Sequence, residues 1–108
     1  MKDSLKIAIA GATGYTGLEL VKILSKHPKV KINYLCAQKS IGKSIYFFNK
    51  NIKKKLPKIT HVSKIDWKNV DVLFTALPNG QAQKIASLIP KKVKLFDLSA
   101  DFRLQDKK

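Results

Sequence analysis

The run LKIAIA (5–10) stops at a glycine, and three glycines spaced three apart, Gly11, Gly14 and Gly17, then lead into an amphipathic stretch. No other feature limits the fold so tightly. Glycine weakens a strand and costs about 1 kcal/mol in a helix interior relative to alanine. Three of the chain's five glycines stand at this one junction. They make sense where backbone must turn sharply or lie bare. The run before them lacks strict alternation, which fits a strand buried on both faces. After them, from Tyr15 to His27, Leu20, Val21 and Leu24 recur at helical spacing with Leu18 and Ile23 beside them, and Pro28 ends the helix. The pattern is strand, glycine turn, helix.

The same alternation continues. Lys31–Ala37 (KINYLCA) reads as a second strand. Residues 38–58 mix aromatics, Gly42 and lysines, and predict an irregular loop or a short helix. Ile59–Val62 is a weak strand, followed by a polar turn over 66–69. Val70–Ala76 (VDVLFTA) is a strong buried strand, LPNG a turn, and Gly80–Ile89 an amphipathic helix stopped by Pro90. Val93–Leu98 is the last strand, and the tail SADFRLQDKK is polar. Strands alternating with helices through short connections predict right-handed βαβ units. The expected fold class is therefore α/β, a Rossmann-like doubly wound, mostly parallel sheet, over one domain spanning 1–108.

A helix N-terminus carries unpaired N–H groups and partial positive charge, so it attracts anions. The spacing here is G-x-x-G-x-x-G, directly after a strand and opening a helix, the context that supports a dinucleotide-binding turn. The hydroxyls of Thr13 and Thr16 add donors. Sites for NAD usually place a carboxylate at the end of the second strand to hold the ribose hydroxyls. Here that end reads Cys36-Ala37-Gln38-Lys39-Ser40, with no acid. Lys39 and Ser40 suit a 2′-phosphate instead, which favours NADP. The loops LPNG (77–80) and SADFR (99–103) leave the carboxyl ends of later strands, where ligands of such sheets sit. Arg103 suits a carboxylate or phosphate, or a surface pair with Asp101.

Charge and composition exclude some alternatives. The formal charge is +15, but of 22 basic residues only Arg103 is arginine, and the lysines are spread along the chain. Base-edge recognition leans on arginine, so no specific nucleic-acid partner is expected. No apolar run approaches the roughly 20 residues that cross a bilayer, so no membrane partner is expected either. The N-terminus does not read as a signal peptide, and a cytoplasmic protein is expected. The single cysteine, Cys36, excludes an internal disulfide and lies in an apolar strand, as an inert core thiol would. His27 and His61 stand alone without metal spacing and read as surface or structural residues. No metal site is expected.

Four motifs now stand in order: GATGYTG (11–17) with LELVKILSKHP after it, the acid-free second strand, ALPNG (76–80) and DLSADFRL (97–104). Together they closely resemble the amino-terminal domain of the N-acetyl-gamma-glutamyl-phosphate reductase family, within the wider semialdehyde dehydrogenases. The resemblance spans nearly the whole chain. GATGYTG alone indicates only the wider family; Tyr15, ALPNG and LSADFRL point to the glutamyl-phosphate branch. It implies an oxidoreductase of arginine biosynthesis. In such enzymes a cysteine near a histidine forms a thioester with an acyl phosphate, and NADPH delivers hydride to give the semialdehyde. Carried over by position, Gly11, Thr13, Gly14, Tyr15, Thr16 and Gly17 line the pyrophosphate. Lys39 and Ser40 lie by the 2′-phosphate. Leu77, Pro78, Asn79 and Gly80 face the ribose and nicotinamide, with Ser99 and Ala100 close by. The family's catalytic cysteine lies in an Asn-Pro-Gly-Cys stretch that does not occur here. The expectation is a domain truncated at its C-terminal end, lacking the substrate domain and inactive alone, from an enzyme that is a homo-oligomer at full length. Alternatives are a standalone dinucleotide-binding module, a reductase of a related acyl phosphate such as aspartyl phosphate, and a basic nucleic-acid binder.

Overall fold

A computed structural model describes residues 4–50, 52, 55–77 and 85–98. Five parallel strands form one sheet: β1 (Leu5–Ala10), β2 (Val30–Cys36), β3 (Ile59–Thr60), β4 (Val72–Thr75) and β5 (Lys94–Asp97), in the order β3-β2-β1-β4-β5. β1 lies in the centre. The chain runs outward to β3 on one side of it and then crosses back to β4 on the other. That reversal is the topological switch point of a doubly wound sheet, so the expected Rossmann-like architecture is what forms.

β1 is central because it can be. Ile7, Ala8, Ile9 and Ala10 are all buried, as a run without polar alternation requires. Ile7 and Ile9 join the layer under α1 (Tyr15–Ser25) with Val21, Leu35 and Ile59. Ala8 and Ala10 face the opposite layer with Cys36, Val70, Leu73, Leu77 and Val93. Full burial of a branched side chain such as Ile7 contributes about 1.5–3 kcal/mol before entropy is counted. Alanines on the second face let that layer come close to the strand.

Two features were not foreseen. The register of β2 on β1 runs Ile7 to Ile32 and then Ala8 to Tyr34, so Asn33 bulges out of the ladder. The bulge turns Ile32 and Leu35, three apart, to the same face. The Asn33 amide donates to the Asn69 carbonyl at 2.8 Å, which ties the bulge to the turn before β4. The second feature is the stretch after β2. It is irregular with one 3₁₀ turn (Ile45–Phe47), as expected, but Ile45 and Ile52 are buried in the core beneath α1's face. That stretch covers the sheet where a crossover helix would otherwise lie.

β4 and β5 are shorter than their apolar runs, and β3 has only two residues. Of the helix expected over 80–89, Ile85 and Ala86 are helical, and residues 80–84 lie outside the described residues. Ile85 and Ile89 pack on the layer opposite α1, so both faces of the sheet are covered. No helix among the described residues is long and apolar enough to cross a membrane.

Candidate dinucleotide-binding crevice

The glycine turn lies at the carboxyl end of β1, next to the switch point. The three glycines have three different reasons. Gly11 has φ +84°, a backbone that side chains rarely adopt, and a Cβ there would run into the Ala76 carbonyl oxygen at the end of β4. Gly17 is the third residue of α1, and a Cβ on it would collide with the Gly11 carbonyl oxygen and lie 2.9 Å from Ala12 Cα. Gly11 and Gly17 are therefore required by the chain's own packing. Gly14 is not. Its φ of −81° suits any residue, and the nearest atom to an added Cβ is Gly11 O at 3.8 Å. Among the described residues nothing explains why residue 14 is bare.

Gly14 is also the N-cap of α1. No side chain caps the helix, and its first turn holds no acid. The first intrahelical bond runs from Leu18 N to Gly14 O at 2.8 Å, so the amides of Tyr15, Thr16 and Gly17 precede the ladder. Thr13 and Thr16 are half-buried beside them, and the Tyr15 ring is 96% exposed. A site of bare amides and helix-end positive potential fits an anion. The turn is held rigidly, because Gly11 N and Ala12 N both donate to the Cys36 carbonyl, at 2.8 and 3.0 Å.

The loop leaving β2 is shaped as well. Ser40 has φ +67°, a left-handed conformation that costs a non-glycine residue about 1–2 kcal/mol. It is held by Lys43 N donating to Ser40 O at 3.1 Å, Gly42 N to Ile59 O at 2.7 Å and Ile59 N to Lys43 O at 2.9 Å. Lys39 is exposed at the tip, one residue before this strained serine.

Between the turn and this loop lies a cavity of about 280 Å³ at the carboxyl ends of β1, β2 and β3. Ala10, Gly11, Ala37 and Leu77 line it, so the structure brings two of the expected residues, Gly11 and Leu77, to one place. Gln38, His61 and Val62 also line it, with Ile85 and Leu88, and the motifs had not singled these out. A two-residue β3 gives too little pattern to show from sequence that His61 follows a strand end. Pro78, Asn79, Gly80, Ser99 and Ala100 lie outside the described residues, as do Asp101 and Arg103.

Cys36 borders the cavity with its thiol buried. It is 2% exposed, and burial pushes its thiol from the ordinary 9.0 up to about 12. Because the folded value is raised, the thiol's contribution to stability is complete below pH 9 and is lost as pH rises towards 12. Going from pH 8 to pH 10 should therefore cost the chain about 1.4 kcal/mol through this group. Urea unfolding at the two pH values should show that extra loss in the wild type and not in Cys36→Ala; equal losses would contradict it. Among the described residues no group of three His, Cys, Asp or Glu is placed to hold a metal ion.

The family model for the semialdehyde dehydrogenase NAD binding domain matches residues 6–108. The chain is 46% identical over 109 residues to the N-acetyl-gamma-glutamyl-phosphate reductase of Ehrlichia ruminantium (strain Gardel), covering 98% of this chain and 31% of that protein. It is 42% identical to the same-named protein of Paracoccus denitrificans (strain Pd 1222), covering 95% of this chain and 30% of that one. Among solved structures, aspartate semialdehyde dehydrogenase II from Vibrio cholerae, complexed with ASA, superposes with a TM-score of 0.72 at 27% identity, over 93% of this chain and 32% of that one. The chain thus spans about a third of the length of these relatives. With the glycine turn, the parallel sheet and the family match in agreement, the chain belongs to the semialdehyde dehydrogenase NAD-binding domain family.

Proposed function

We propose that this chain is the NADP-binding part, residues 1–108, of a cytoplasmic reductase that converts N-acetyl-glutamyl 5-phosphate to N-acetyl-glutamate 5-semialdehyde in arginine biosynthesis. The observation that carries the cofactor half of this reading is Gly14, whose missing side chain serves no packing among the described residues yet leaves room beside the first-turn amides of α1. The substrate half rests on the relatives named above, and on Tyr15 and the ALPNG and LSADFRL motifs.

In this reading Gly11, Thr13, Gly14, Tyr15, Thr16 and Gly17 line the diphosphate: the amides of Tyr15, Thr16 and Gly17 and the hydroxyls of Thr13 and Thr16 donate to it, while Gly11, whose amide is bonded to the Cys36 carbonyl, and Gly14 leave it room. Lys39 and Ser40 receive the 2′-phosphate. Leu77, Pro78, Asn79 and Gly80, with Ser99 and Ala100, attend the ribose and nicotinamide. When bound, NADPH supplies the hydride that reduces the acyl group. This chain's own residues bind and orient. The thiol that takes the acyl group is assigned to an Asn-Pro-Gly-Cys segment of the whole enzyme and not to Cys36, whose buried thiol stays protonated. The whole enzyme is proposed to be a homo-oligomer that binds the acyl phosphate through its substrate domain.

Titration with NADPH and with NADH, read by calorimetry, tests the cofactor assignment. NADPH should bind more tightly. Lys39→Glu puts a negative charge at the loop tip and should weaken NADPH by about tenfold more than NADH, about 1.4 kcal/mol. An equal loss for both removes Lys39 from the phosphate. Equal or absent binding of both by the wild type removes NADP.

A further inference from the structure

Among the described residues, the walls of the cavity between β1, β2 and β3 are aliphatic but for three groups: the Cys36 thiol, Gln38 and His61. It opens at the carboxyl ends of the strands, where ligands of doubly wound sheets lie. Gly11 belongs both to this cavity and to the glycine turn, so one ligand with a diphosphate on the turn reaches the cavity with its next group. For a dinucleotide that group is the adenosine. Aliphatic walls hold a flat base by its faces but leave its rotation in the plane undetermined. A few placed polar groups supply that orientation in most ligand sites.

His61 is placed for it. It is the first residue after β3 and caps the 3₁₀ turn Val62–Lys64. Ser63 N donates to its Nδ1 at 3.1 Å, and the Ser63 hydroxyl lies 2.9 Å from the same atom. A backbone N–H can only donate, so Nδ1 is an acceptor and the ring proton is on Nε2. Among the described residues, the hydrogen-bond contacts of the ring fall on Nδ1. Nε2–H is thus a donor with its direction fixed by the protein. The Cys36 thiol is a weak donor, and Gln38 already has an interaction within the chain.

We propose that His61 fixes the adenosine end of the dinucleotide, its Nε2–H donating to an acceptor on the edge of the purine. This rests on the dinucleotide reading above. It assigns to His61 a part in ligand positioning that residue type and spacing did not suggest.

The test uses the full 108-residue chain, with NADPH, NADH and 5′-AMP as probes in calorimetric titrations of the wild type, His61→Ala and His61→Gln. His61 is exposed but its ring caps the 3₁₀ turn, so His61→Ala should melt a few degrees below the wild type and stay folded at the titration temperature. His61→Ala should weaken all three probes by about tenfold, because all three carry adenosine, and His61→Gln, which keeps a donor, should recover part of the loss. Three results overturn the proposal while the wild type still binds: no loss in His61→Ala, a loss confined to NADPH, which places the ring on the 2′-phosphate, or no recovery in His61→Gln. A wild type that binds neither dinucleotide overturns the dinucleotide reading itself, and this proposal with it.

Discussion

Replacing Gly14 by valine is expected to weaken NADPH binding by at least about a hundredfold, roughly 2.8 kcal/mol, while the melting temperature stays within a few degrees of the wild type. The two halves of this expectation have separate causes. Among the described residues the fold has no use for a bare residue 14. Its φ of −81° is open to valine, and an added Cβ meets only Gly11 O, at the ordinary contact distance of 3.8 Å. Valine is a poorer N-cap than glycine, which costs on the order of 1 kcal/mol or less. Binding is another matter. On the proposed reading the diphosphate rests on the amides of Tyr15, Thr16 and Gly17, next to residue 14, where a valine side chain would crowd it. Hydrogen bonds to a charged group contribute about 1.5–3 kcal/mol each, so losing close contact with even two of them accounts for the expected drop. Calorimetry with NADPH and thermal unfolding of the same sample measure both halves. If Gly14→Val binds NADPH as tightly as the wild type, the diphosphate is not on this turn.

What could be read beforehand follows from how local each signal is. β1 and α1 were legible because a buried strand, a glycine turn and a helical period lie side by side in 20 residues. Pro28 came close to the end of that helix, which stops at Ser25. Cys36 was legible as core because its neighbours in the strand are apolar. Residues 38–58 were legible only as irregular. That Ile45 and Ile52 fill the space beside α1 depends on long-range packing with no period to announce it. The bulge at Asn33 was hidden for the same reason, since register is set between strands and not within one. At the candidate site, the glycines were proposed from spacing and Lys39 from the acid-free end of the second strand. The left-handed backbone of Ser40 could not, because serine carries no preference for it. His61 could not be placed, because β3 is two residues long and its register on β2 is what brings His61 to the cavity. The motifs also treated the three glycines together, as a sharp turn and as bare backbone for a phosphate. The structure divides them: two are packing residues, and one is free to serve a ligand.

That division carries the second large effect, at Gly17. On helix propensity alone, Gly17→Ala should stabilise the chain, by up to about 1 kcal/mol, since residue 17 lies inside α1. The opposite is expected, a loss of about 3–5 kcal/mol. The new methyl would collide with the Gly11 carbonyl oxygen, with Gly11 C at 2.8 Å and Ala12 Cα at 2.9 Å, all of them backbone. No side chain can swing aside to relieve it. The turn cannot retreat either, because Gly11 N and Ala12 N are bonded to the Cys36 carbonyl and Gly11 packs on Ala76. The helix must then slide away from β1, opening the layer in which Val21 and Ile9 meet. A domain of this size has about 5–15 kcal/mol of stability in all, so the variant should melt roughly 15 °C or more below the wild type. Clash outweighs propensity by several-fold, which makes the sign of the change decisive. Thermal and urea unfolding of Gly17→Ala and Gly14→Ala side by side should separate the two glycines cleanly, the first strongly destabilised and the second nearly neutral. A Gly17→Ala chain as stable as the wild type would mean that α1 does not rest on the turn as described, and the geometry assigned to the first-turn amides would go with it.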